Sequence, residues 1–314
     1  MLPASCFLPP ASCLLPPASC LLLPANCQLP PALVAGFPVA LRIFLIPVDM
    51  AQIPFYKYHG AGNDFIMIDD REGRWGDQVS EAWVALACHR RFSVGADGMI
   101  FLQKGQEGAD FFMKYYNSDG RTSTFCGNGG RCIVAFAAFL GIHQSRCRFL
   151  GTDGWHEGAV LDNELVEISM KDVDMLQEAT GGDLVLHTGS PHYISFREAI
   201  GHLDVFKEGR AIRTSPPFAA EGINVNFVET IHPGEIRIRT YERGVEDETL
   251  ACGTGVVAAA IASAYRTNHP ISSWEVHAMG GDLMVSFNRL GPEEFRDVWL
   301  TGPAVQVFRG EIPY

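Results

Sequence analysis

The sequence predicts an α+β fold with two similar domains, each a mixed β-sheet curled around a central helix. Most of the chain consists of short runs that alternate apolar and polar residues between Gly-rich turns, which is typical of strands. Two segments, residues 129–140 and 254–267, are instead apolar on nearly every face at helical length. A helix of that kind has to be surrounded, and a sheet wrapped around it is the simplest way. The 314 residues are enough for about two domains.

Composition limits the function classes. The chain is 47% hydrophobic and 19% charged, so it can bury a sizeable core. Its formal net charge of −12 argues against nucleic-acid binding, which needs clustered Lys and Arg. We therefore expect a small-molecule or protein partner.

Residues 1–49 differ from the rest. Near-copies of a Pro-Ala-Ser-Cys unit recur every seven residues, with cysteines at Cys6, Cys13, Cys20 and Cys27. The prolines are incompatible with a helix or a sheet ladder. The apolar run over residues 33–48 is short for a membrane span and contains two prolines and an arginine. We expect an upstream low-complexity extension from a mis-assigned start, outside the fold; a membrane or lipid-linked anchor is the alternative.

Local patterns predict the other elements in chain order. Residues 80–91 open with Ser80, a typical N-cap residue, and carry apolar residues at helical spacing, which predicts a helix. Residues 274–287 and 298–312 predict two closing hairpins. The remaining strand patterns lie at residues 55–60, 65–69, 98–103, 110–117, 164–170, 183–189, 192–196, 223–229 and 234–244.

A Cys-Gly-x-Gly turn precedes each apolar helix, in "TFCGNGGRC" at residues 124–132 and "LACGTGVVA" at residues 250–258. This position puts each sulfur at a helix N-terminus, where free N–H groups and the helix dipole favour negative charge. The glycines let the backbone approach a ligand, and the same N–H groups suit a carboxylate. Two thiols facing one carbon from opposite sides would invert it without a metal or organic cofactor.

Other interpretations of the cysteines remain open at this point. A cysteine before a glycine is commonly a small buried hydrophobe. Zinc binding is a further option, although Cys126 and Cys132 are six residues apart without a CxxC motif. We interpret Cys88 (with His89), Cys132 and Cys147 as structural. The odd, scattered set in the main part of the chain does not indicate a disulfide framework and favours a reducing cytosol.

Six segments together resemble the diaminopimelate epimerase family, and the resemblance runs through nearly all of residues 53–314. They are "KYHGAGNDFIMID", "VGADGMI", "YYNSDGRTSTFCGNGGRC", "GSPHYI", "GINVNF" and "YERGVEDETLACGTGVVA". The resemblance implies an isomerase that converts LL- to meso-diaminopimelate without pyridoxal phosphate. It also implies a cytoplasmic homodimer that serves lysine and peptidoglycan precursor synthesis, with no membrane partner.

The same resemblance implies roles for individual residues. Cys126 would be the proton donor and Cys252 the acceptor, with the roles exchanged in the reverse direction, while His192 and Glu242 would tune the thiols. The substrate-binding set would be Asn63, Asn117, Gly127, Asn128, Ser190, Asn224, Glu242, Arg243, Gly253 and Thr254. Amide side chains suit a zwitterion because each offers a donor and an acceptor, and an arginine suits the far carboxylate.

The chain departs from the family pattern in a few places. Ser190 replaces a common Asn before Pro-His, and Gly98 stands where some members have Gln. The stretch from Arg243 to Cys252 is one residue longer than the common spacing. Phe308 replaces a Tyr that some members have at the dimer contact.

We expect an N-terminal domain over residues 50–169, to which residues 300–314 return, and a C-terminal domain over residues 170–299. The active site would lie in the cleft between them. The nearest rival function is another cofactor-independent racemase or dehydratase of the same fold, such as a proline-racemase-like enzyme. A thiol redox or metal-binding module is the rival from a different class.

Overall fold

The computed structural model describes residues 51–123, 125–268 and 270–314, so the prediction for residues 1–49 lies outside the described part of the chain. The α-helices of this part are α1 (Glu81–Ala87), α2 (Gly127–Phe139), α3 (Val205–Arg213) and α4 (Gly253–Thr267), and short 3-10 turns occupy Thr180–Gly182 and Ile200–His202.

The strands fall into two sequence halves, joined by the last two strands. The first half contains β1 (Gln52–Gly60), β2 (Asn63–Asp70), β3 (Gly98–Lys104), β4 (Phe111–Asn117), β5 (Arg146–Gly151), β6 (Gly154–Val160) and β7 (Val166–Ser169). The second contains β8 (Leu176–Glu178), β9 (Leu184–His187), β10 (Pro191–Phe196), β11 (Asn224–His232), β12 (Glu235–Glu242), β13 (Asp247–Thr249), β14 (Ser273–Ala278) and β15 (Gly281–Arg289). The final strands are β16 (Phe295–Gly302) and β17 (Val305–Pro313).

Each apolar helix is surrounded by strands of its own half, as the sequence predicts. Helix α2 packs against β1, β2, β3, β6 and β7, whereas α4 packs against β9 to β12, β14 and β15. Pairing is mixed: β2–β3, β4–β5, β10–β11 and β12–β14 are parallel, and the other pairs are antiparallel. The α+β prediction of mixed sheet around central helices is therefore confirmed.

The helices fit inside the sheets because of their composition. On α4, Ala258, Ala259 and Ala260 are fully buried, so strands can approach closely on several sides. On α2, Ile133 and Phe136 are equally buried but larger. None of the helices within the described residues is long and apolar enough to cross a membrane.

The two final strands connect the halves. Strand β17 pairs antiparallel with β1, with Gln52 opposite Pro313, while β16 pairs with β7 and β15. The predicted hairpin over residues 298–312 is therefore wrong, because its two strands pair with different neighbours. Strand β16 also packs against both α2 and α4, which places one strand beneath both central helices.

Two helices differ from expectation. Helix α1 begins as predicted, with the Ser80 hydroxyl accepting a hydrogen bond from the Trp83 N–H at 3.2 Å, but it ends at Ala87 rather than near residue 91. The chain turns there, and Arg90 reaches Asp64 at 2.6 Å. Helix α3 was not predicted; its N-cap is Asp204, whose carboxylate accepts from the Lys207 N–H at 3.0 Å.

Candidate active site

The N-termini of α2 and α4 meet, glycine against glycine. A Cβ atom added to Gly127 would lie 3.4 Å from the Gly253 Cα, and one added to Gly253 would lie 3.2 Å from the Gly127 Cα. Both positions would also press on the Leu300 side chain of β16, at 3.3 and 3.2 Å. Larger residues would push the helices apart, so these two glycines set how closely the helix starts approach.

Each helix start carries one of the two candidate cysteines. Cys126 is the N-cap of α2 and Cys252 the N-cap of α4, with similar extended backbone angles of φ −112°, ψ 120° and φ −110°, ψ 108°. Both side chains are half-buried free thiols. The structure thus brings the two sequence-predicted thiols to a single place where two helix N-termini converge.

The Cys126 sulfur lies among donors and one cation. Its S–H donates to the Asn63 Oδ1 at 3.6 Å. Burial raises the pKa of Cys126, whereas the N–H groups of Gly129 and Asn128 and the charge of Arg131 oppose that rise. The charge of Glu242 adds to the rise. Burial therefore favours the neutral thiol, and the helix start and Arg131 favour the thiolate.

The Cys252 sulfur has a different partner. It lies 3.5 Å from the Thr254 Oγ1. Burial raises the pKa of Cys252 well above its ordinary value, and the charges of Glu242 and of Cys126 add to the rise. The Thr254 hydroxyl and the Gly255 N–H oppose it. Because a charge on Cys126 disfavours one on Cys252, the site holds one thiolate and one thiol more readily than two thiolates.

His192 is buried and joins this network through Thr254. Its Nε2 lies 2.9 Å from both the Thr254 Oγ1 and the Ser190 Oγ, and its Nδ1 lies 3.0 Å from the Asn226 amide nitrogen. Burial, with the charges of His187 and Arg243 adding to it, lowers the pKa of His192 to about 3. The imidazole is therefore neutral at pH 7, and the Thr254 hydroxyl lies between it and the Cys252 sulfur.

Glu242 is the carboxylate that influences both thiols. Its Oε2 accepts a hydrogen bond from the Thr249 Oγ1 at 2.9 Å. Burial raises the pKa of Glu242, the charge of Asp97 adds to the rise, and the Thr249 hydroxyl opposes it. A carboxyl group of this kind takes up a proton more readily than an exposed one.

The predicted asparagines occupy different environments. Asn63 donates to the Asp97 Oδ2 at 2.7 Å, which directs its Oδ1 toward Cys126. Asn224 accepts from the Arg243 N–H at 2.9 Å and donates to the Ser190 Oγ at 3.1 Å. Asn117, at the end of β4, makes no side-chain hydrogen bond with any other described residue, so its amide is available to a ligand.

Asn128 differs from the other asparagines because its side chain is only 1% exposed. Its amide nitrogen donates to the Ala251 carbonyl at 2.9 Å and approaches the Asn63 Oδ1 at 3.4 Å. The backbone N–H of Asn128 faces the Cys126 sulfur. The backbone of Asn128 is therefore available for the predicted substrate-binding role, whereas its side chain is bonded to other groups of the protein.

Arg243 is the exposed cation of the predicted set. Its guanidinium donates to the Glu221 carbonyl at 3.1 Å and forms no ion pair with a carboxylate of the described residues. An arginine bonded only to a neutral carbonyl keeps most of its donors free for a ligand carboxylate.

The surroundings of Ser190 and Gly98 explain how the fold accommodates these two departures from the family pattern. Ser190 places its hydroxyl between His192 and Thr254, where it joins their hydrogen-bond network. A Cβ at Gly98 would lie 2.6 Å from the Tyr115 ring and 2.6 Å from the Tyr116 carbonyl. Position 98 therefore has no room for a side chain unless those neighbours shift.

Asn226 and Arg131 also lie at the site, although neither was predicted from the sequence. Asn226 lies two residues after Asn224 on β11, so the period-2 alternation of a strand places both on one face and was a usable signal. Arg131 is the one charged residue of helix α2, and it is fully buried. A charge in that context signals a specific buried role.

The cysteines interpreted as structural are buried. Burial raises the pKa of both Cys88 and Cys147 to about 12, and Cys132 is fully enclosed within α2. The group of described residues that could hold a cation, Glu275, His277 and Asp282, lies on the β14–β15 hairpin and includes no cysteine.

Comparisons with known proteins agree on one family. A sequence model described as diaminopimelate epimerase matches residues 55–176 and 184–307. The diaminopimelate epimerase of Flavobacterium psychrophilum is 44% identical over 257 residues, covering 82% of this chain and 99% of that protein. That of Chlorobaculum tepidum is 44% identical over 261 residues, covering 81% and 98%, and that of Aquifex aeolicus is 35% identical over 274 residues, covering 82% and 97%.

Solved structures show the same fold at low identity. A phenazine biosynthesis protein of the PhzF family from Bacillus anthracis superposes with a TM-score of 0.65 at 14% identity, covering 84% of this chain and all of that one. A probable proline racemase from Agrobacterium radiobacter K84 superposes with a TM-score of 0.60 at 14% identity, covering 83% and 92%. At this identity the likeness concerns the fold alone.

Proposed function

This chain belongs to the diaminopimelate epimerase family, and from that premise we propose that Cys126 and Cys252 are the groups that move the proton. The enzyme is an isomerase that epimerises diaminopimelate. The observation that carries the residue assignment is the approach of the two helix starts, where Gly127 and Gly253 are in contact and each helix presents one thiol.

The proposed reaction is a two-base inversion between LL- and meso-diaminopimelate. One cysteine, as the thiolate, takes the α-proton and becomes a thiol. The electron pair left on the α-carbon forms a new C–H bond with the proton of the other thiol, which becomes a thiolate. Helix N–H groups stabilise the charge that develops on the substrate carboxylate. No electron leaves the site, and the protonation of the two sulfurs is exchanged at the end of each turnover.

Glu242 is proposed to start this cycle. Its charge disfavours a thiolate at both cysteines, and burial raises its own pKa. When a thiol passes its proton to Glu242, the thiolate forms and the opposing charge disappears in one step. The neutral His192 keeps the Thr254 hydroxyl directed at Cys252, where it stabilises the thiolate as a donor.

The distal end of the substrate is proposed to bind at Arg243 and the asparagines. Arg243 has donors free for the far carboxylate. The amide of Asn117 and the exposed parts of Asn63 and Asn224 offer donors and acceptors for the distal ammonium and carboxylate groups. Gly127, Gly253 and the backbone of Asn128 and Thr254 would hold the carboxylate next to the reacting carbon.

Isotope incorporation tests the function. Purified protein without added cofactor is incubated with LL-diaminopimelate in deuterium oxide, and both the α-deuterium content and the meso product are followed. We expect deuterium at the α-carbon of the inverted product, and no inversion of L-proline under the same conditions. If proline is inverted and diaminopimelate is not, the proline-racemase-like alternative holds instead.

We propose a cytoplasmic homodimer in which β17 faces the partner. Val305, Val307 and Phe308 on β17 are 45%, 56% and 47% exposed, which makes an apolar edge beside β1. Light scattering should give twice the chain mass for the native protein and the chain mass for Val307→Lys. A native monomer would contradict this proposal without affecting the chemistry.

We further propose the domain division at residues 50–169 with 300–314, and 170–299, supported by the pairing of β17 with β1. Native-state hydrogen exchange should resolve two cooperative units along this division. A single unit spanning both would contradict it.

A further inference from the structure

Arg131 is a buried cation with no carboxylate partner among the described residues. It is fully buried in the second turn of α2, and it forms no ion pair with a carboxylate of the described residues. Burial lowers the pKa of Arg131 to about 10, so the guanidinium remains charged at neutral pH. Burying a charge without a counter-ion is unfavourable unless its hydrogen bonds are satisfied, so the contacts of this group indicate its role.

The guanidinium contacts neutral oxygens only, at the start of α2 and the end of β16. It donates to the Asn128 Oδ1 at 2.8 Å and to the Gly127 carbonyl at 3.3 Å, and its Nε lies 3.5 Å from the Pro303 carbonyl. Two glycines leave room for it: a Cβ at Gly60 would lie 3.3 Å from its NH2, and one at Gly302 would lie 3.3 Å from its Nε. The slot is thus shaped for this side chain.

The bond from Arg131 fixes which way the Asn128 amide points. The guanidinium can only donate, so the amide oxygen faces it and the amide nitrogen faces the opposite way. That nitrogen donates to the Ala251 carbonyl at 2.9 Å and lies 3.4 Å from the Asn63 Oδ1. In the opposite orientation, two oxygens would face each other at Ala251, which is repulsive.

This amide links the two thiols. Ala251 directly precedes Cys252, and the Asn63 Oδ1 accepts the bond from the Cys126 sulfur. We infer that Arg131 is a positioning residue: by fixing the Asn128 amide, it holds the two sulfurs at the separation needed to act on one carbon from opposite faces. This inference rests on the proposed two-base function.

A positioning role predicts a specific failure. Abstraction of the α-proton, exchange of the resulting S–H proton for solvent deuterium and return of the deuteron on the same face need a single well-placed thiol, whereas inversion needs both. When the link is broken, inversion should therefore fall more than exchange without inversion. A displacement of about 1 Å at a reacting group reduces a rate about a hundredfold, so inversion should fall by about that factor. A purely structural role would lower both rates in proportion to the folded fraction.

The experiment measures two rates in deuterium oxide, inversion of diaminopimelate and α-deuterium incorporation with retained configuration. The variants are Arg131→Met, Arg131→Lys and Asn128→Asp. Asn128→Asp keeps the volume and gives Arg131 a counter-ion, but it replaces the donor to Ala251 with an oxygen that repels that carbonyl. We expect the ratio of exchange to inversion to rise strongly in Arg131→Met and Asn128→Asp, and less in Arg131→Lys.

Arg289, which is half-buried, supplies the control. It also donates only to carbonyls, those of Ala264, Gly291 and Pro292, but near the C-terminal end of α4. Arg289→Met should lower stability and leave the ratio native. An unchanged ratio in folded Asn128→Asp would overturn the inference.

A substrate-independent measurement separates this inference from the proposed function. The bifunctional thiol reagent dibromobimane joins two nearby sulfurs, and peptide mapping gives the yield of the Cys126–Cys252 product. We expect a lower yield in Asn128→Asp than in native protein and Arg289→Met. If native protein fails to invert diaminopimelate, the proposed function fails; if it inverts and Asn128→Asp cross-links as well as native protein, only the positioning role fails.

Discussion

The two cysteine turns share a backbone but differ at one residue. Both have the form Cys-Gly-x-Gly, start a buried helix and hold the cysteine at nearly equal φ and ψ. The x residue is Asn128 in the first turn and Thr254 in the second. Asn128 points away from its cysteine toward Arg131 and Ala251, whereas Thr254 points at Cys252 and His192.

The glycines that follow show the same divergence. A Cβ at Gly129 would lie 2.9 Å from the Ile100 side chain, an apolar contact. A Cβ at Gly255 would lie 2.4 Å from the Asn226 amide oxygen. The missing side chain at Gly129 therefore leaves room for the apolar core, whereas the missing side chain at Gly255 lets the Asn226 amide approach the start of α4. A repeated motif can thus provide two similar thiols while the surrounding residues make them different acids.

The electrostatic result is asymmetric. At Cys126 the N–H groups of Gly129 and Asn128 and also the charge of Arg131 favour the thiolate, while at Cys252 the favourable contributions come from the Thr254 hydroxyl and the Gly255 N–H. In the protein without substrate, Cys126 is therefore expected to be the sulfur that deprotonates first. The direction of catalysis then decides which sulfur begins as the base.

Removal of one of the two thiols should have the greatest effect on activity. Cys252→Ala should reduce inversion by roughly 10²–10⁴-fold and abolish α-proton exchange from one epimer, because one face of the carbon loses its acid–base group. Substrate affinity should stay within about tenfold. Deuterium exchange measured with each epimer checks this prediction. Cys126→Ala should lose exchange from the other epimer. Cys147→Ala, which removes a buried thiol outside the site, serves as the control. Normal turnover in Cys252→Ala would remove the two-thiol mechanism.

The next largest effect is expected at Arg243, the residue proposed to bind the far carboxylate of the substrate. Arg243→Met should raise KM by roughly 10–100-fold with a smaller change in kcat, because a charge-assisted hydrogen bond of about 1.5–3 kcal/mol is lost. Arg243→Lys should raise KM by an intermediate factor, since lysine keeps the charge but lacks the planar guanidinium that can donate two parallel hydrogen bonds. Steady-state kinetics decide, with Arg237→Met, a paired surface arginine on β12, as control. An unchanged KM would show that the far carboxylate binds elsewhere.

A more modest effect should follow from placing a cation near Cys252, as Arg131 lies near Cys126. Asn226→Asp places a carboxylate beside the His192 Nδ1, which should raise the pKa of His192 and charge the imidazole near Thr254. The pH at which Cys252 is half alkylated should then fall by about one pH unit. Alkylation with iodoacetamide followed by peptide mapping measures it, and Asn226→Leu, which adds no charge, should show no fall. A fall at Cys126 alone would contradict the proposed path through Thr254.

The smallest effect concerns stability in acid. The pKa of His192 is about 3 in the folded protein and about 6.5 in an unfolded chain, so the unfolded state binds more protons between these values. Stability should therefore fall as the pH drops below about 6.5, by about 2 kcal/mol at pH 5. Urea unfolding at pH 7 and pH 5 measures the loss, which should be smaller in His192→Gln. If both proteins lose the same amount of stability, the loss comes from groups other than His192.

Much of the fold follows from local sequence patterns. The alternating strands, the Ser80 cap and the two apolar helices are periodic or chemical signals carried by neighbouring residues. The hairpin expected over residues 298–312 was wrong because pairing partners are chosen by the sheet as a whole: β16 pairs with β7 and β15, and β17 pairs with β1. Asn128 shows the same limit within the site, since its sequence position does not reveal that its side chain turns inward.

Local sequence was enough to predict that two cysteines each begin a buried helix, because Cys-Gly-x-Gly followed by small apolar residues specifies a sharp turn and an enclosed helix within a few neighbouring positions. Long-range packing instead set the contact between the two helix starts, the bond from Arg131 to the Asn128 amide, and the bonds that place His192 between Asn226 and Thr254. Those contacts join residues distant in the chain, for example Asn128 to Ala251 and His192 to Thr254, and they depend on side-chain directions that no local pattern encodes.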